Sequence, residues 1–258
     1  MTVKTRQAVI FAGGRGTRIS EESHLRPKPM VMIGPHPILW HIVNHFYNFG
    51  VHDFVILLGY KGEVIKDYFV NQSYLSGDIR VDTRSGKVTV LGGNFPEMTI
   101  TLVDTGQDTM TGGRLLRAGQ YLDDTFFLTY GDGISTVDLG ELERQHFLRQ
   151  NVVTLTAVKP FGRFGAVTLN PDGNVSMFSE KQDQENQLIN GGFMIAEKAC
   201  LNFITDGDES VFETGALSKL ASSGALGAHI HHGFWHSMDT LRDKEVLNEM
   251  WSRGDGSW

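Results

Sequence analysis

A short apolar run, Ala8-Val9-Ile10-Phe11, opens directly into Ala12-Gly13-Gly14-Arg15-Gly16-Thr17-Arg18. A run this brief and this apolar reads as a buried strand. A strand with both faces buried must be covered by helices on both sides, which points to an α/β layering. The glycine-rich turn that follows it lets backbone N–H groups approach a phosphate chain closely. Arg15 and Arg18 add cationic donors beside the turn, and Arg26-Pro27-Lys28-Pro29-Met30 then holds a lysine between two prolines. Two basic sites flanking a glycine turn suit a nucleoside triphosphate whose α-phosphate is to be attacked.

Two commoner phosphate loops fail on the same residues. A dinucleotide fingerprint needs G-x-G-x-x-G/A, with an acid about 20 residues later at a strand end. Here Ile19 stands where the third glycine should be, and the next apolar run, Phe54–Leu58, ends in Gly59. A P-loop needs G-x-x-x-x-G-K-[ST], a string the chain does not contain.

Downstream, strand and helix signals alternate. Apolar or β-branched runs at Phe54–Leu58, Thr99–Val103, Phe126–Tyr130 and Val152–Val158 read as strands. Ile38, Leu39, Ile42, Val43 and Phe46 recur at helical spacing, as do Val64, Ile65, Tyr68 and Phe69, which mark a short helix. Further helices are expected from about Gly112 to Tyr121, around Leu139–His146, and from Thr240 to about Trp251. The order predicts a Rossmann-like, mostly parallel mixed sheet flanked by helices, in a single domain over 1–258. Residues 71–98 break the pattern and read as an insertion, a lid or an oligomer contact, with a hairpin over Ile79–Leu91 turning at Ser85-Gly86. Residues 159–258 form a smaller C-terminal β/α portion, with short strands near Gly165–Leu169, Gly191–Ile195 and Ala228–His232. Ligands in open α/β sheets sit outside the C-terminal ends of the strands, so Gly13, Asp104 and Asp132, each following a strand, should converge there.

Composition sets the bounds. The chain has 258 residues and a formal net charge of −7, which argues against a general nucleic-acid surface and against anionic membranes. A bound polyphosphate must then be held by local basic residues and metal. Cys200 is the sole cysteine, so no intrachain disulfide is possible. No run approaches a membrane span, and the first apolar run is too short for a signal-peptide core. A cytoplasmic location is the expectation.

Together Ala12-Gly13-Gly14-x-Gly16-Thr17-Arg18 and Pro27-Lys28-Pro29 resemble the signature of the sugar-1-phosphate nucleotidylyltransferase superfamily. Within it, Ser20-Glu21-Glu22-Ser23, Arg26-Pro27-Lys28-Pro29-Met30 and Pro37-Ile38-Leu39-Trp40-His41-Ile42 are similar to the glucose-1-phosphate cytidylyltransferases. Met110-Thr111-Gly112-Gly113-Arg114-Leu115, Tyr130-Gly131-Asp132-Gly133, Gly162-Arg163-Phe164-Gly165, Asn190-Gly191-Gly192-Phe193 and Met238-Asp239-Thr240-Leu241 follow in the same order. The resemblance runs from about Arg6 to Trp251. It implies a nucleotidyltransferase fold, CTP and a sugar 1-phosphate as substrates, Mg²⁺ as cofactor and a homo-oligomer.

That reaction needs the triphosphate charge neutralised, the attacking phosphate held in line, and the leaving pyrophosphate stabilised. No enzyme nucleophile is required, because the sugar phosphate oxygen is already anionic. Lys28 and Arg18 are the expected catalytic cations at the triphosphate, with Phe11, Ala12, Gly13, Gly14, Gly16, Thr17, Thr111, Arg114 and Gly131 as nucleotide-binding residues. Arg114, opening a helix, would touch base or ribose, or be a surface cap. Asp132 and Asp239 are the expected metal ligands, since Mg²⁺ typically takes one or two carboxylates plus phosphates and water. Asp239 also stands where a helix N-cap would. Resemblance places Glu180, Lys181, Asn190 and Gly191 at the sugar phosphate, Lys181 as a further catalytic cation. His229 and His231 would share a strand face, and with His232 and His236 they raise zinc as an alternative, although a polar strand edge is the plainer reading.

The departures from the family pattern concentrate in the acceptor half. Met32-Ile33-Gly34 replaces Glu-Ile-Gly, Pro35-His36-Pro37-Ile38 replaces Gly-Lys-Pro-Ile, and Gln182 follows Glu180-Lys181 in place of proline. Phe212-Glu213-Thr214-Gly215-Ala216-Leu217 replaces a tryptophan-initiated, glutamate-rich stretch ending in Pro-Leu. The expected reaction is Mg²⁺-dependent cytidylyl transfer to α-D-glucose 1-phosphate. The rivals are another phosphorylated acceptor, UTP or dTTP, and a silent nucleotide-binding relative. The last predicts lost metal or lysine positions, yet Lys28, Asp132, Lys181 and Asp239 are all present.

Overall fold

The computed structural model describes residues 2–14, 16, 26–93, 95–159, 166–169, 175–179, 188–256 and 258; at 73, 166–169 and 175–179 the description is of the backbone. Thr17, Arg18, Ser20–Ser23, Gly162–Gly165, Glu180, Lys181 and Gln182 lie outside the described residues.

Strand β1 (Gln7–Ala12) is buried at every position and sits inside a seven-stranded sheet. It is flanked by β4 (Asp53–Leu58) and β8 (Thr125–Tyr130), both parallel to it, and β7 (Thr99–Asp104) lies parallel beyond β4. On the other side β13 (Ile189–Glu197) runs antiparallel to both β8 and β10 (Val153–Val158), and β14 (Leu226–His231) pairs parallel with β10. The sheet is therefore mixed and mostly parallel, as the alternating pattern predicts. Strands from the C-terminal part complete it.

Two apolar layers cover the sheet. On one face β1 contributes Ala8, Ile10 and Ala12, packed with Ile38, Leu39, Ile42 and Phe46 of α1 (Ile38–Asn48). On the other it contributes Val9 and Phe11, packed with Leu115, Phe126, Leu128, Met194, Phe212 and Leu220. The alternation along one strand divides the two cores, as period-2 geometry requires.

The helix α2 spans Gly62–Leu75, longer than its short apolar signal, so the segment expected as insertion from residue 71 is still helical at its start. Beyond it the hairpin forms as expected, β5 (Asp78–Asp82) pairing antiparallel with β6 (Lys87–Leu91). The helix expected over Gly112–Tyr121 breaks in two: α3 (Thr111–Arg117), then a 3₁₀ turn over Gly119–Tyr121. The helix near Leu139 is α4 (Leu139–Arg149), capped by Asp138, whose carboxylate accepts from the Glu141 N–H. Among the described residues, no helix is long and apolar enough to cross a membrane.

Candidate active site

At the C-terminal ends of the parallel strands lies a cleft of about 600 Å³. Its floor is the turn after β1, with Gly13, Gly14 and Gly16 in the wall together with Phe11 and Ala12. Gly16 has φ +60°, a left-handed conformation that costs glycine little. Lys28, Gly131, Asp132 and Asp239 also line it, as do Gln107, Asp108, Thr109, Met110, Thr111 and Arg114. Asp104, expected to converge with Gly13 and Asp132, is not in the wall. It is exposed at the end of β7 and accepts from the Gly106 N–H at 3.1 Å.

Lys28 begins a 3₁₀ turn, Lys28–Met30, with Pro27 fixed at φ −67° ahead of it. The Met30 N–H closes the turn on the Pro27 carbonyl at 2.8 Å. Pro29 backs against Gly131, where an added Cβ would stand 3.1 Å from the proline ring. The two prolines therefore aim the lysine into the cleft rather than outward. Its Nζ donates to Asp132 Oδ2 at 2.6 Å and to Asp239 Oδ1 at 2.9 Å. Burial alone would lower the pKa of Lys28, but the Asp132 charge and the hydrogen bonds to both aspartates prevail and hold it above the usual lysine value.

The two aspartates are distant in sequence and meet through a small ladder. Strand β9 (Gly133–Ser135) pairs antiparallel with β15 (Trp235–Ser237), and the Met238 N–H donates to the Asp132 carbonyl at 2.9 Å. This register sets the two carboxylates around one ammonium. Asp239 is not the helix N-cap. That duty falls to Thr240, which forms a capping box with Asp243 at the start of α5, over Leu241–Arg253. The Asp239 carboxylate instead takes Lys28 and, through Oδ2, the Ser237 hydroxyl at 2.9 Å. Two carboxylates converging on a cation are a hard-oxygen donor set of the kind Mg²⁺ prefers, so the residues present fit such an ion.

Arg114 is neither a surface cap nor an outward-facing donor. It is 5% exposed. Its Nη1 donates to the Leu58 carbonyl, Thr105 Oγ1 and the Gly106 carbonyl at 2.9, 2.7 and 2.7 Å. Its Nη2 donates to the carbonyls of Gly13 and Gln107 at 3.1 and 3.2 Å. One guanidinium thus ties the ends of β1, β4 and β7 under the glycine turn. Burial pushes its pKa down, though an arginine so far above neutrality stays charged. A Cβ on Gly13 would lie 2.3 Å from that guanidinium, whereas one on Gly14 would meet nothing within 4 Å. Gly13 therefore makes room for Arg114, and Gly14 faces open space.

Near Asn190 and Gly191, expected at the acceptor, β13 runs antiparallel to β8, so its first residues lie at the same end of the sheet as the ends of β1 and β8. Asn190 Oδ1 accepts from the Gly192 N–H at 2.9 Å, and the Gly191 carbonyl accepts from Trp235 Nε1 at 2.7 Å. Gly192, at φ +85°, lies against the Tyr130 ring, where a Cβ would sit 2.7 Å from it. Asn190 and Gly191 thus adjoin the cleft through Tyr130 rather than forming its wall. Of the histidines, His231 Nε2 donates to the Phe234 carbonyl at 3.1 Å, and no group of three or more His, Cys, Asp or Glu suited to a metal occurs among the described residues.

Sequence reasoning missed Tyr130, Gln107–Met110 and Glu213 as site residues. The loop Gln107–Met110 follows a strand end and was reachable by the same rule that flagged Asp104. Glu213 carries no local signal, since its hydrogen-bond partner Tyr130 is 83 positions away.

The family model described as nucleotidyl transferase matches residues 7–241. The glucose-1-phosphate cytidylyltransferase of Salmonella typhimurium is 43% identical over 254 residues, 98% of each chain, and that of Salmonella typhi matches equally. Among solved structures, HddC from Yersinia pseudotuberculosis complexed with GMP-PN superposes with a TM-score of 0.68 at 21% identity, covering 96% of this chain and 100% of that one, a likeness of fold. A glycine turn over a buried arginine, a lysine between two aspartates, and a matching family model across nearly the whole chain together mean that the chain belongs to the nucleotidyl transferase family, as an enzyme of that class.

Proposed function

We propose that the chain transfers a cytidylyl group from CTP to a sugar 1-phosphate, α-D-glucose 1-phosphate being the acceptor, with release of pyrophosphate. The observation that carries the reading is the convergence of Lys28, Asp132 and Asp239 beside the glycine turn. The names of the relatives, matched over 98% of their length, supply the substrates.

The acceptor phosphate oxygen forms a bond to the α-phosphorus as the α-to-β bridging bond breaks, and the electron pair leaves with pyrophosphate. Asp132 and Asp239 would hold Mg²⁺, which lowers the repulsion between the two phosphate groups. Lys28 then turns from its aspartates to the α-phosphate, where charge builds in the transition state. The Gly13, Gly14 and Gly16 turn and Arg18 cradle the β- and γ-phosphates. Thr111 stands on the nucleotide side, and Arg114 holds the turn from beneath. Lys181, with Glu180, Asn190 and Gly191, receives the sugar phosphate.

Steady-state kinetics with CTP and UTP, each against glucose, galactose and mannose 1-phosphates, tests this by pyrophosphate release. A site built to hydrogen-bond one group rejects an analogue by up to about 10⁴, and cytosine differs from uracil at N3 and the 4-position. CTP with glucose 1-phosphate is expected to give the highest kcat/KM. Equal kcat/KM for CTP and UTP removes the cytidylyl assignment, and failure of all three sugars removes the acceptor.

A further inference from the structure

Between the two halves of the cleft runs a chain of side-chain hydrogen bonds that none of the roles above uses. The Tyr130 hydroxyl donates to Glu213 Oε1, and the Thr111 hydroxyl donates to Glu213 Oε2 at 2.7 Å. Thr111 Oγ1 in turn accepts from the Phe212 N–H at 2.8 Å. On the far side, the Tyr130 ring lies against Gly192, whose N–H donates to Asn190 Oδ1 at 2.9 Å. Thr111 and Tyr130 both line the cleft. Glu213 stands behind them, at the start of a single π-helical turn, Glu213–Leu217. Such turns are rare and are frequently found at functional sites.

We infer that Glu213 is a positioning residue that fixes the nucleotide-side Thr111 and the acceptor-side Tyr130 in one arrangement, so that the two subsites are set together. The inference rests on the cytidylyltransfer reading for which subsite is which.

The geometry argues this in three steps. First, both oxygens of one carboxylate are committed, each to a cleft-lining residue on a different element, Tyr130 at the end of β8 and Thr111 at the start of α3. A rigid fork of this kind fixes a separation as well as a direction. Second, Tyr130 has little other freedom. Its ring stacks on Phe11 at 5.6 Å and abuts the Gly192 turn. Its hydroxyl faces a carboxylate oxygen and is the donor of that bond to Glu213. Third, the next residues along the strand are Gly131 and Asp132. A tilt of Tyr130 would therefore move the start of the metal-binding turn.

Glu213→Ala, Glu213→Gln, Tyr130→Phe, Thr111→Val and the double variant Glu213→Ala/Tyr130→Phe test it. Glu213→Ala is expected to raise the KM of both CTP and glucose 1-phosphate about five- to twentyfold. Tyr130→Phe should raise chiefly the acceptor KM and Thr111→Val chiefly the CTP KM, with the double variant no worse than Glu213→Ala alone. Glu213→Gln keeps the shape and one acceptor oxygen, so it should recover most of the loss. Circular dichroism melting identifies a variant that has merely unfolded, in which case Glu213→Gln and the two partner variants decide. Multiplicative losses in the double variant, or KM values at wild-type level in Glu213→Ala, overturn the inference. The wild-type chain is the separate control for the reading itself. If it releases no pyrophosphate from CTP with any sugar phosphate, that reading falls. Glu213→Ala is then compared by the Kd of whichever of CTP, UTP, dTTP, GTP and ATP binds best, and an unchanged Kd overturns the inference.

Discussion

Arg114 shows how a residue can be found in sequence while the partners of its side chain stay hidden. An arginine opening a helix beside a glycine turn suggests a contact with base or ribose. Its five acceptors are instead the ends of three strands, and that is visible only once the strands are laid side by side. Removing it takes the donor from the Gly106 and Gln107 carbonyls, while the Leu58 and Gly13 carbonyls keep the N–H groups of Thr105 and Tyr60; each group left unsatisfied costs about 1–3 kcal/mol. Arg114→Met is accordingly expected to lower the unfolding free energy by about 2 kcal/mol or more in urea titration. A variant that loses CTP affinity at unchanged stability would return Arg114 to direct nucleotide contact. Gly13→Ala should resemble it, because the new methyl would meet the guanidinium at 2.3 Å, and overpacking typically costs about 1–3 kcal/mol.

Lys28, Asp132 and Asp239 were legible for the opposite reason. The prolines around Lys28 and the glycines around Asp132 are local signals, and the structure needed only to bring them together. Asp132→Asn and Asp239→Asn are each expected to cost roughly 10²–10³ in kcat, the usual loss of one electrostatic contact in a transition state. Near-normal kcat for Asp239→Asn at low Mg²⁺ would sink its metal role. Lys28 stays charged through the working range: its pKa is raised, so its ion pairs are intact below the normal lysine value and are lost only as pH rises through the higher folded one.

Among the elements, the buried parallel strands were the most readable, because burial on both faces leaves an uninterrupted apolar run. The strands β9 and β15 carried no such run. They are three residues each and pair only with one another, yet their register brings Asp239 to Asp132. The helix α1 was plain from its spacing, but its apolar face hides an acid-sensitive group. His45, 7% exposed, donates through Nε2 to the Val137 carbonyl at 3.0 Å and packs against Phe49 and Phe193. Burial pushes its pKa down to about 4, with the nearby His231 acting the same way and the Val137 bond and Asp138 opposing. Its folded pKa lies below its unfolded one near 6.5, so the unfolded state takes up the proton first. Stability is therefore lost as pH falls from about 6.5 towards 4, by up to about 3 kcal/mol. Urea unfolding of wild type and His45→Gln at pH 7, 5.5 and 4.5 checks this. The wild type should lose more stability than the variant on acidification, and parallel curves would assign the acid sensitivity elsewhere.

For the whole molecule, the seven-stranded sheet places the substrate halves on different strands of one body. In the proposed function the nucleotide side falls on β1, β4 and β7 and the acceptor side on β13, and β8 lies between these strands with Tyr130 and Asp132 at its end. A ligand that fills the nucleotide half should therefore stabilise the entire sheet, not a local loop. Binding stabilises the native state by RT ln(1 + [L]/Kd), about 2.7 kcal/mol at a hundredfold excess over Kd. For a chain of this size that is a rise in Tm of about 5–10 °C, since 1 kcal/mol shifts Tm by roughly 2–4 °C. CTP with Mg²⁺ is expected to produce this rise in a single cooperative transition. EDTA should cut it sharply, because Lys28, Arg18 and the glycine turn then face the triphosphate without the metal while Asp132 and Asp239 repel it. UTP should give a markedly smaller rise at the same concentration. A shift with CTP that EDTA leaves untouched would remove the two aspartates from metal binding, and equal shifts with CTP and UTP would locate the binding energy in the phosphates rather than the base.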